Sequence, residues 1–358
     1  MRARHHGIVV GVTSPLDDPT FRESVGRELV RFADLQRRRL AEVDDEVAGL
    51  VDAAADFVGG GKLLRPLFCY AGWLIGGGAP DDARIARAAS AFEWLQGSAL
   101  VHDDLMDGSD TRRGRPSVHR AFEQTHRNEG RVGDPERFGE QVAVLLGDLL
   151  LSWADDVIRS VPQDADWHLT GALAYWNLAK SEVIAGQYLD IVAQTRDRLD
   201  ADDALRVVRF KSAKYTVERP LHIGAALAGA SPELIEGLSA VALPLGEAFQ
   251  LRDDVLGVFG DPATTGKPTG DDLREGKRTV LIARAAERSD ARRLFSLLGR
   301  DDTVEELTAL IDESGARADV EAEIGRLEAR SDAALAALGD HAVAILGPLA
   351  RATTRRVR

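Results

Sequence analysis

Two long apolar helical runs each end in paired aspartates, and that arrangement restricts the chain more than any other feature. The first run ends in LVHDDLMDGSDTRRGRP (100–116) and the second in FQLRDDVLGVFGD (249–261). On a helix, positions three and four apart share a face, so Asp103 and Asp107 point together with Asp104 beside them. Three carboxylates this close repel one another and are costly against an apolar wall unless a cation neutralises them. Oxygen-only ligation suits Mg²⁺, which keeps several waters and bridges carboxylates to substrate phosphates. Arg112 and Arg113 follow at once, with planar donors matched to phosphate oxygens. Gly108, Gly114 and Pro116 stop the helix and turn the chain, so the Arg pair can fold back over the acids. A single Asp cluster before Gly and Ser reads as a solvated helix end. Two such clusters, each trailed by basic residues, read as the opposed walls of one site. An EF-hand is excluded, because no ligands alternate over a twelve-residue loop.

The spacing elsewhere predicts an all-α fold. Phe21 to Val58 carries apolar residues at helical intervals (Val25, Leu29, Phe32, Leu35, Leu40, Val43, Val47, Leu50). A Gly-rich GGGK breaks this run, and Pro66 opens the next helix. Residues 76–80 form a turn, and Asp81 or Asp82 caps the helix running down to Asp103. Residues 125–136 are polar and read as a surface loop. Buried helices are expected over 141–160, 169–194, 204–230 (kinked at Pro220) and 234–259, with three short amphipathic helices beyond 280. No strand-like alternation and no fixed repeat is present. No composition break divides the 358 residues, so one large helical domain over 21–358 is expected behind a loose tail over 1–20, where His5 and His6 are solvent-exposed.

The net charge of −13 argues against a nucleic-acid partner. The single cysteine, Cys69, sits in the apolar run LFCYAGWLI and is expected to be a buried packing thiol. It permits no disulfide within the chain and fits a reducing cytoplasm. The start of the chain lacks the make-up of a signal peptide, and no uninterrupted apolar run approaches the ~18 residues of a membrane span. A cytoplasmic protein without stable membrane insertion is the expectation.

Beside the two Asp-rich motifs stand GGKLLRP (60–66), GDLLL (147–151), GQYLD (186–190) and KSAKY (211–215), in that order. With these the chain, from about Gly59 to Arg278, resembles the trans-isoprenyl diphosphate synthases, or polyprenyl synthetases. The resemblance implies a many-helix bundle around an apolar cavity, a homodimer, and Mg²⁺, three ions per site, between the two acidic helices. Asp103, Asp104 and Asp107 then form one metal wall and Asp253 and Asp254 the other. The family's second motif often carries a third Asp, where this chain has Gly257; Asp261 is out of register.

By the same resemblance Arg112, Lys211, Gln250, Lys267 and Lys277 hold the allylic diphosphate, with Ser212 where Thr is common. Lys62, Arg65, Gln96 and Arg113 hold isopentenyl diphosphate, although Leu63 replaces a base of the usual motif. Gln187 and Asp190 face the cavity, while Lys214 and Arg252 are read as solvated. The implied reaction ionises an allylic diphosphate, adds isopentenyl diphosphate head-to-tail and loses a proton. Class I terpene cyclases share the bundle, but their second metal motif is of an Asn/Ser/Glu type. Non-catalytic subunits typically lose acids of the first motif, and this chain keeps all three.

Product length is read from the helix before the first motif. Farnesyl-making relatives with this motif commonly place aromatics four or five residues before its first Asp; here stand Ala99 and Ser98. Leu95, two turns down, can narrow the channel, and Phe92, three turns down, can close it. Geranylgeranyl diphosphate, of twenty carbons, is the expected main product, with farnesyl or chains of twenty-five carbons or more as the alternatives.

Overall fold

The computed structural model describes residues 19–163, 167–196, 198, 200–260 and 269–354. The chain folds into α1 (Pro19–Leu40), α2 (Val47–Val58), α3 (Leu64–Ile75), α4 (Ala83–Met106), β1 (Thr111–Arg112), β2 (Arg115–Pro116), α5 (Val118–Asn128), α6 (Pro135–Arg159), α7 (Leu169–Gln194) and α8 (Ala201–Val207). A π-helical segment (Val208–Glu218) continues α8 into α9 (Arg219–Leu227), followed by α10 (Pro232–Phe259) and α11 (Asp271–Arg274). The last helices are α12 (Val280–Arg288), α13 (Ala291–Leu297), α14 (Val304–Glu313), α15 (Ala316–Ala337) and α16 (Asp340–Thr354).

The all-α expectation holds, with local amendments. The run over 21–58 is two helices, because the chain turns through Ala41–Glu46, where acidic residues crowd between Leu40 and Val47. Residues 125–128 finish α5, and α6 starts at Pro135 with Asp134 accepting hydrogen bonds from the Glu136 and Arg137 amides. Pro220 sits in the first turn of α9, where the π-helical segment passes into α-helix. Among the described residues the prolines inside helices are Pro244, on α10, and Pro348, on α16. Five helices follow residue 279 instead of three. Asp82 caps α4 through the Arg84 amide. A two-residue antiparallel ladder pairs Thr111 with Pro116 and Arg112 with Arg115. Its turn residues, Arg113 and Gly114, have φ of 54° and 73°, the left-handed pair that a tight hairpin needs. The tail over 1–18, with His5 and His6, lies outside the described residues.

Helix α4 lies along α6, and α10 along α15 and the π-helical segment. Buried apolar residues form two clusters, and α10 enters both: Leu238, Val241 and Leu245 in one, Leu251, Val255 and Val258 in the other. By length and composition α10 alone among the described residues could cross a membrane; its apolar run is interrupted by Glu236 and Glu247, and half of that window is buried in the bundle. Cys69 is fully buried in the first cluster, and desolvation pushes its thiol far above the ordinary range.

Candidate active site

The C-terminal ends of α4 and α10 meet at the mouth of a cavity of 960 Å³. Asp103, Arg112, Asp253, Asp254, Asp272 and Lys277 line the mouth, and Leu95, Ser98, Ala99, Leu151 and Val183 line the depth. The two Asp-rich motifs, far apart in sequence, thus face one space.

Each acid of the first motif has its own cation. Lys211 Nζ, from the π-helical segment, donates to Asp103 Oδ1 at 3.0 Å and to Asp190 Oδ2, on α7, at 2.6 Å. Arg112 folds back as its position in the hairpin suggests, and its Nε donates to Asp104 Oδ1 at 2.7 Å. Lys277 Nζ stands 3.4 Å from Asp107 Oδ2 and 3.7 Å from Asp272 Oδ1, and is bonded to Glu275. Glu275 in turn accepts from Ser109 Oγ at 2.8 Å, tying the two acidic walls together. On the second wall Gln250 Nε2 donates to Asp254 Oδ1 at 2.8 Å.

Among the described residues the charge at the mouth does not balance. Asp103, Asp104, Asp107, Asp190, Asp253, Asp254, Asp272 and Glu275 stand around Arg112, Lys211 and Lys277. Burial first, then repulsion from Asp103, lifts the Asp107 carboxyl to about 6. Burial likewise raises Asp104, and burial with the Asp272 charge raises Asp254. Asp103 ends below the ordinary range, because Lys211 and Lys277 outweigh its burial. Asp104 Oδ2 and Asp107 Oδ2 are buried and accept no hydrogen bond. Orphaned oxygens in an over-acidic, oxygen-only pocket fit hard divalent cations such as Mg²⁺. Among the described residues no three acids converge on one point, because Lys211 and Lys277 stand between them.

A second polar patch belongs to the same cavity: Lys62, Arg65, Gln96 and Arg113 also line it. Arg65 lies over the Tyr215 ring at 4.3 Å and donates to Thr216 Oγ1 at 2.8 Å. Gln96 Oε1 and Tyr215 Oη are buried without hydrogen-bond partners. Glu93, 5% exposed, faces both arginines; burial raises its carboxyl while Arg65 and Arg113 pull it down. A Cβ on Gly61 would lie 2.6 Å from Glu93 Oε2, so a side chain there would displace the Glu93 carboxylate. Leu63 and Arg113 are the non-glycine residues with positive φ among those described. Both flank this pocket, where strain of this kind collects in binding sites.

Ser212, Gln187 and Asp190 line the cavity as expected, and Lys267 lies outside the described residues. Phe92 does not line it: the ring is fully buried behind the wall, edge-on to Trp176 at 5.3 Å. Two residues expected in solvent are structural ties. Lys214 bonds Glu182 at 2.9 Å, and Arg252 on α10 bonds Glu321 on α15. Sequence reasoning missed Glu93, Asp272, Glu275 and Lys180. The partners of Glu93 and Lys180 lie far along the chain, as does Ser109 from Glu275, and only the second GD-rich stretch (270–277) carried any signal.

The sequence profile of the polyprenyl synthetase family matches residues 48–313. A geranylfarnesyl diphosphate synthase of Aeropyrum pernix is 32% identical over 265 residues, covering 72% of this chain and 77% of that protein. A geranylgeranyl diphosphate synthase of Saccharolobus solfataricus is 32% identical over 259 residues, 70% of this chain and 71% of that one. The crystal structure of geranylgeranyl pyrophosphate synthase from Corynebacterium glutamicum, complexed with isoprenyl diphosphate and magnesium, superposes with a TM-score of 0.89. It is 41% identical and covers 94% of this chain and 99% of that one. The chain belongs to the polyprenyl synthetase family. It is therefore a trans-prenyltransferase, an enzyme of isoprenoid biosynthesis that uses isoprenyl diphosphates and Mg²⁺.

Proposed function

We propose that this enzyme condenses isopentenyl diphosphate with dimethylallyl, geranyl and farnesyl diphosphates in turn, and stops mainly at geranylgeranyl diphosphate. The depth of the cavity carries this reading. From Asp190 down α7 to Lys180, both lining the cavity, is ten residues, about 15 Å at the helical rise per residue. That is nearly three turns, or about three extended isoprene units. Over this distance the α4 side chains lining the cavity include Ala99, Ser98 and Leu95, with no aromatic ring. A fifteen-carbon allylic partner fits and is extended once; a twenty-carbon one meets the floor. Exhaustive condensation followed by extraction and chromatography tests this. Twenty carbons is the expected main product; a fifteen-carbon or predominantly twenty-five-carbon product overturns it.

In this reading Asp103, Asp104 and Asp107 on one wall and Asp253, Asp254 and Asp272 on the other hold Mg²⁺, and the resemblance implies three ions. Bound there, Mg²⁺ neutralises the diphosphate and the charge that grows on it as the allylic C–O bond breaks. Arg112, Lys211, Lys267 and Lys277 share that charge, and Gln250 and Ser212 orient the leaving group. Lys62, Arg65, Gln96 and Arg113 hold isopentenyl diphosphate, with Glu93 setting the two guanidinium planes. The alkene of isopentenyl diphosphate attacks the allylic cation, forming the new C–C bond. The departing diphosphate then takes the proton, which restores a double bond. The apolar walls keep water from the cation.

Residues 21–358 serve as one domain, a reading that the passage of α10 through both buried clusters supports. A homodimer is supported by apolar side chains exposed on α6 and α7 outside the cavity: Val144, Leu145 and Leu178.

A further inference from the structure

Lys180 pairs with a carboxylate at the end of an apolar channel. It stands on α7 among the lining residues, one turn from Val183 and Ile184, with Leu95 and Leu151 also in the wall. From Asp190, which Lys211 joins to Asp103, back to Lys180 is ten residues, about 15 Å of helix. Lys180 therefore lies level with Phe92. Aromatic contacts agree, since the Trp176 ring has Phe92 at 5.3 Å and Lys180 Nζ at 5.9 Å. Lys180 Nζ is bonded to Asp155 Oδ1 on α6, and Trp176 Nε1 donates to the same oxygen at 2.6 Å. Arg159 Nε is 3.6 Å from Asp155 Oδ2. Ammonium, carboxylate and indole N–H thus make a polar plug between α6 and α7.

We propose that Lys180, anchored by Asp155, sets the upper limit of chain length by charge and not by bulk alone. This rests on the channel assignment above. A lysine side chain is long and flexible, and an unanchored one would swing its ammonium to water and leave its methylenes as channel wall. Anchored to Asp155, it keeps its charge at the floor. The terminal methyls of a longer chain would have to strip water from that ammonium and offer no hydrogen bond in return. A neutral side chain of similar size would yield.

The test supplies geranylgeranyl diphosphate as the allylic partner, with labelled isopentenyl diphosphate and Mg²⁺, and compares kcat/KM with that for farnesyl diphosphate. Lys180→Met should raise the twenty-carbon to fifteen-carbon ratio at least ~10-fold, the scale on which pockets discriminate by small changes in an apolar wall. Lys180→Arg, which keeps the charge, should leave the ratio at the wild-type value. Lys180→Gln gives a second neutral variant, able to donate to Asp155, should Lys180→Met fold poorly. A wild-type ratio in the neutral variants, or an equal gain in Lys180→Arg, overturns the proposal. A wild-type enzyme stopping at fifteen carbons would overturn the twenty-carbon reading instead, and the response of the ratio to charge would still be read separately.

Discussion

Asp272 fills the space that a side chain at Gly257 would occupy: a Cβ built on Gly257 would lie 2.1 Å from Asp272 Oδ2. Asp272, on α11, thus places a carboxylate beside the position where the second motif lacks one. Asp272→Ala should raise the Mg²⁺ concentration needed for half-maximal activity and weaken Mg²⁺ binding measured by calorimetry. Adding Gly257→Asp to Asp272→Ala should recover much of both, whereas Gly257→Asp alone should crowd the site and impair it. Unchanged Mg²⁺ affinity in Asp272→Ala would show that this carboxylate lies outside the metal shell.

Removing Asp103 or Asp104 should lower turnover at least ~100-fold, the scale of charge stabilisation that metal catalysis supplies. Helical content should survive, because these groups repel one another. For the same reason Asp107→Asn should melt higher than wild type at pH 7 without Mg²⁺ while losing activity. Near-normal turnover with unchanged Mg²⁺ dependence in Asp103→Ala or Asp104→Ala would disprove the clamp.

The two diphosphate pockets should separate kinetically. Lys62→Ala, Arg65→Ala and Glu93→Ala should raise KM for isopentenyl diphosphate more than for the allylic partner. Lys211→Ala and Lys267→Ala should do the opposite. Initial rates with each substrate varied in turn decide it; equal effects would mean that the pockets have been exchanged.

Ala99→Phe places a ring one turn below Asp103, in the open part of the channel, and should shift the product to farnesyl diphosphate. Phe92→Ala should act indirectly, by loosening Trp176, and should cost ~3–5 kcal/mol of stability as a buried truncation. Product chromatography and a thermal melt on the same preparations measure both effects.

Acid should destabilise the fold through His222. This ring is buried; its Nδ1 accepts from Arg219 at 3.1 Å, which leaves the Nε2 proton for Ser239 Oγ at 2.9 Å. Burial first, then the Arg219 and Lys214 charges, lowers its pKa from 6.5 to about 3. Between those values the unfolded chain binds a proton that the folded chain does not. Stability is therefore complete above about pH 6.5 and falls as the pH drops toward 3, by on the order of a few kcal/mol. Melting temperature against pH should flatten over this window in His222→Gln.

What the sequence disclosed follows the range of each interaction. The first motif was legible because helical spacing alone fixes Asp103 against Asp107, and the glycines after it announce the return of Arg112. Helix ends at Asp82 and Asp134 obeyed local capping rules. The break at residues 41–46 was hidden, since Leu40, Val43 and Val47 keep helical spacing across it. Lys214 and Arg252 looked solvated because their partners, Glu182 and Glu321, lie 32 and 69 residues away. Asp272 and Glu93 were overlooked for the same reason: each works across a gap that only folding closes.

The π-helical segment gives the bundle a dependence on arithmetic. Lys211, Ser212, Tyr215 and Thr216 all reach the cavity from it, two pairs of residues four apart on one face. Deleting one residue there, even a small one such as Ala213, would tighten the coil and rotate everything upstream by about 100° relative to α9. Lys211 would leave Asp103 and Asp190 although no functional side chain had been altered. Along these eleven residues the chain tolerates a change of letter more readily than a change of count.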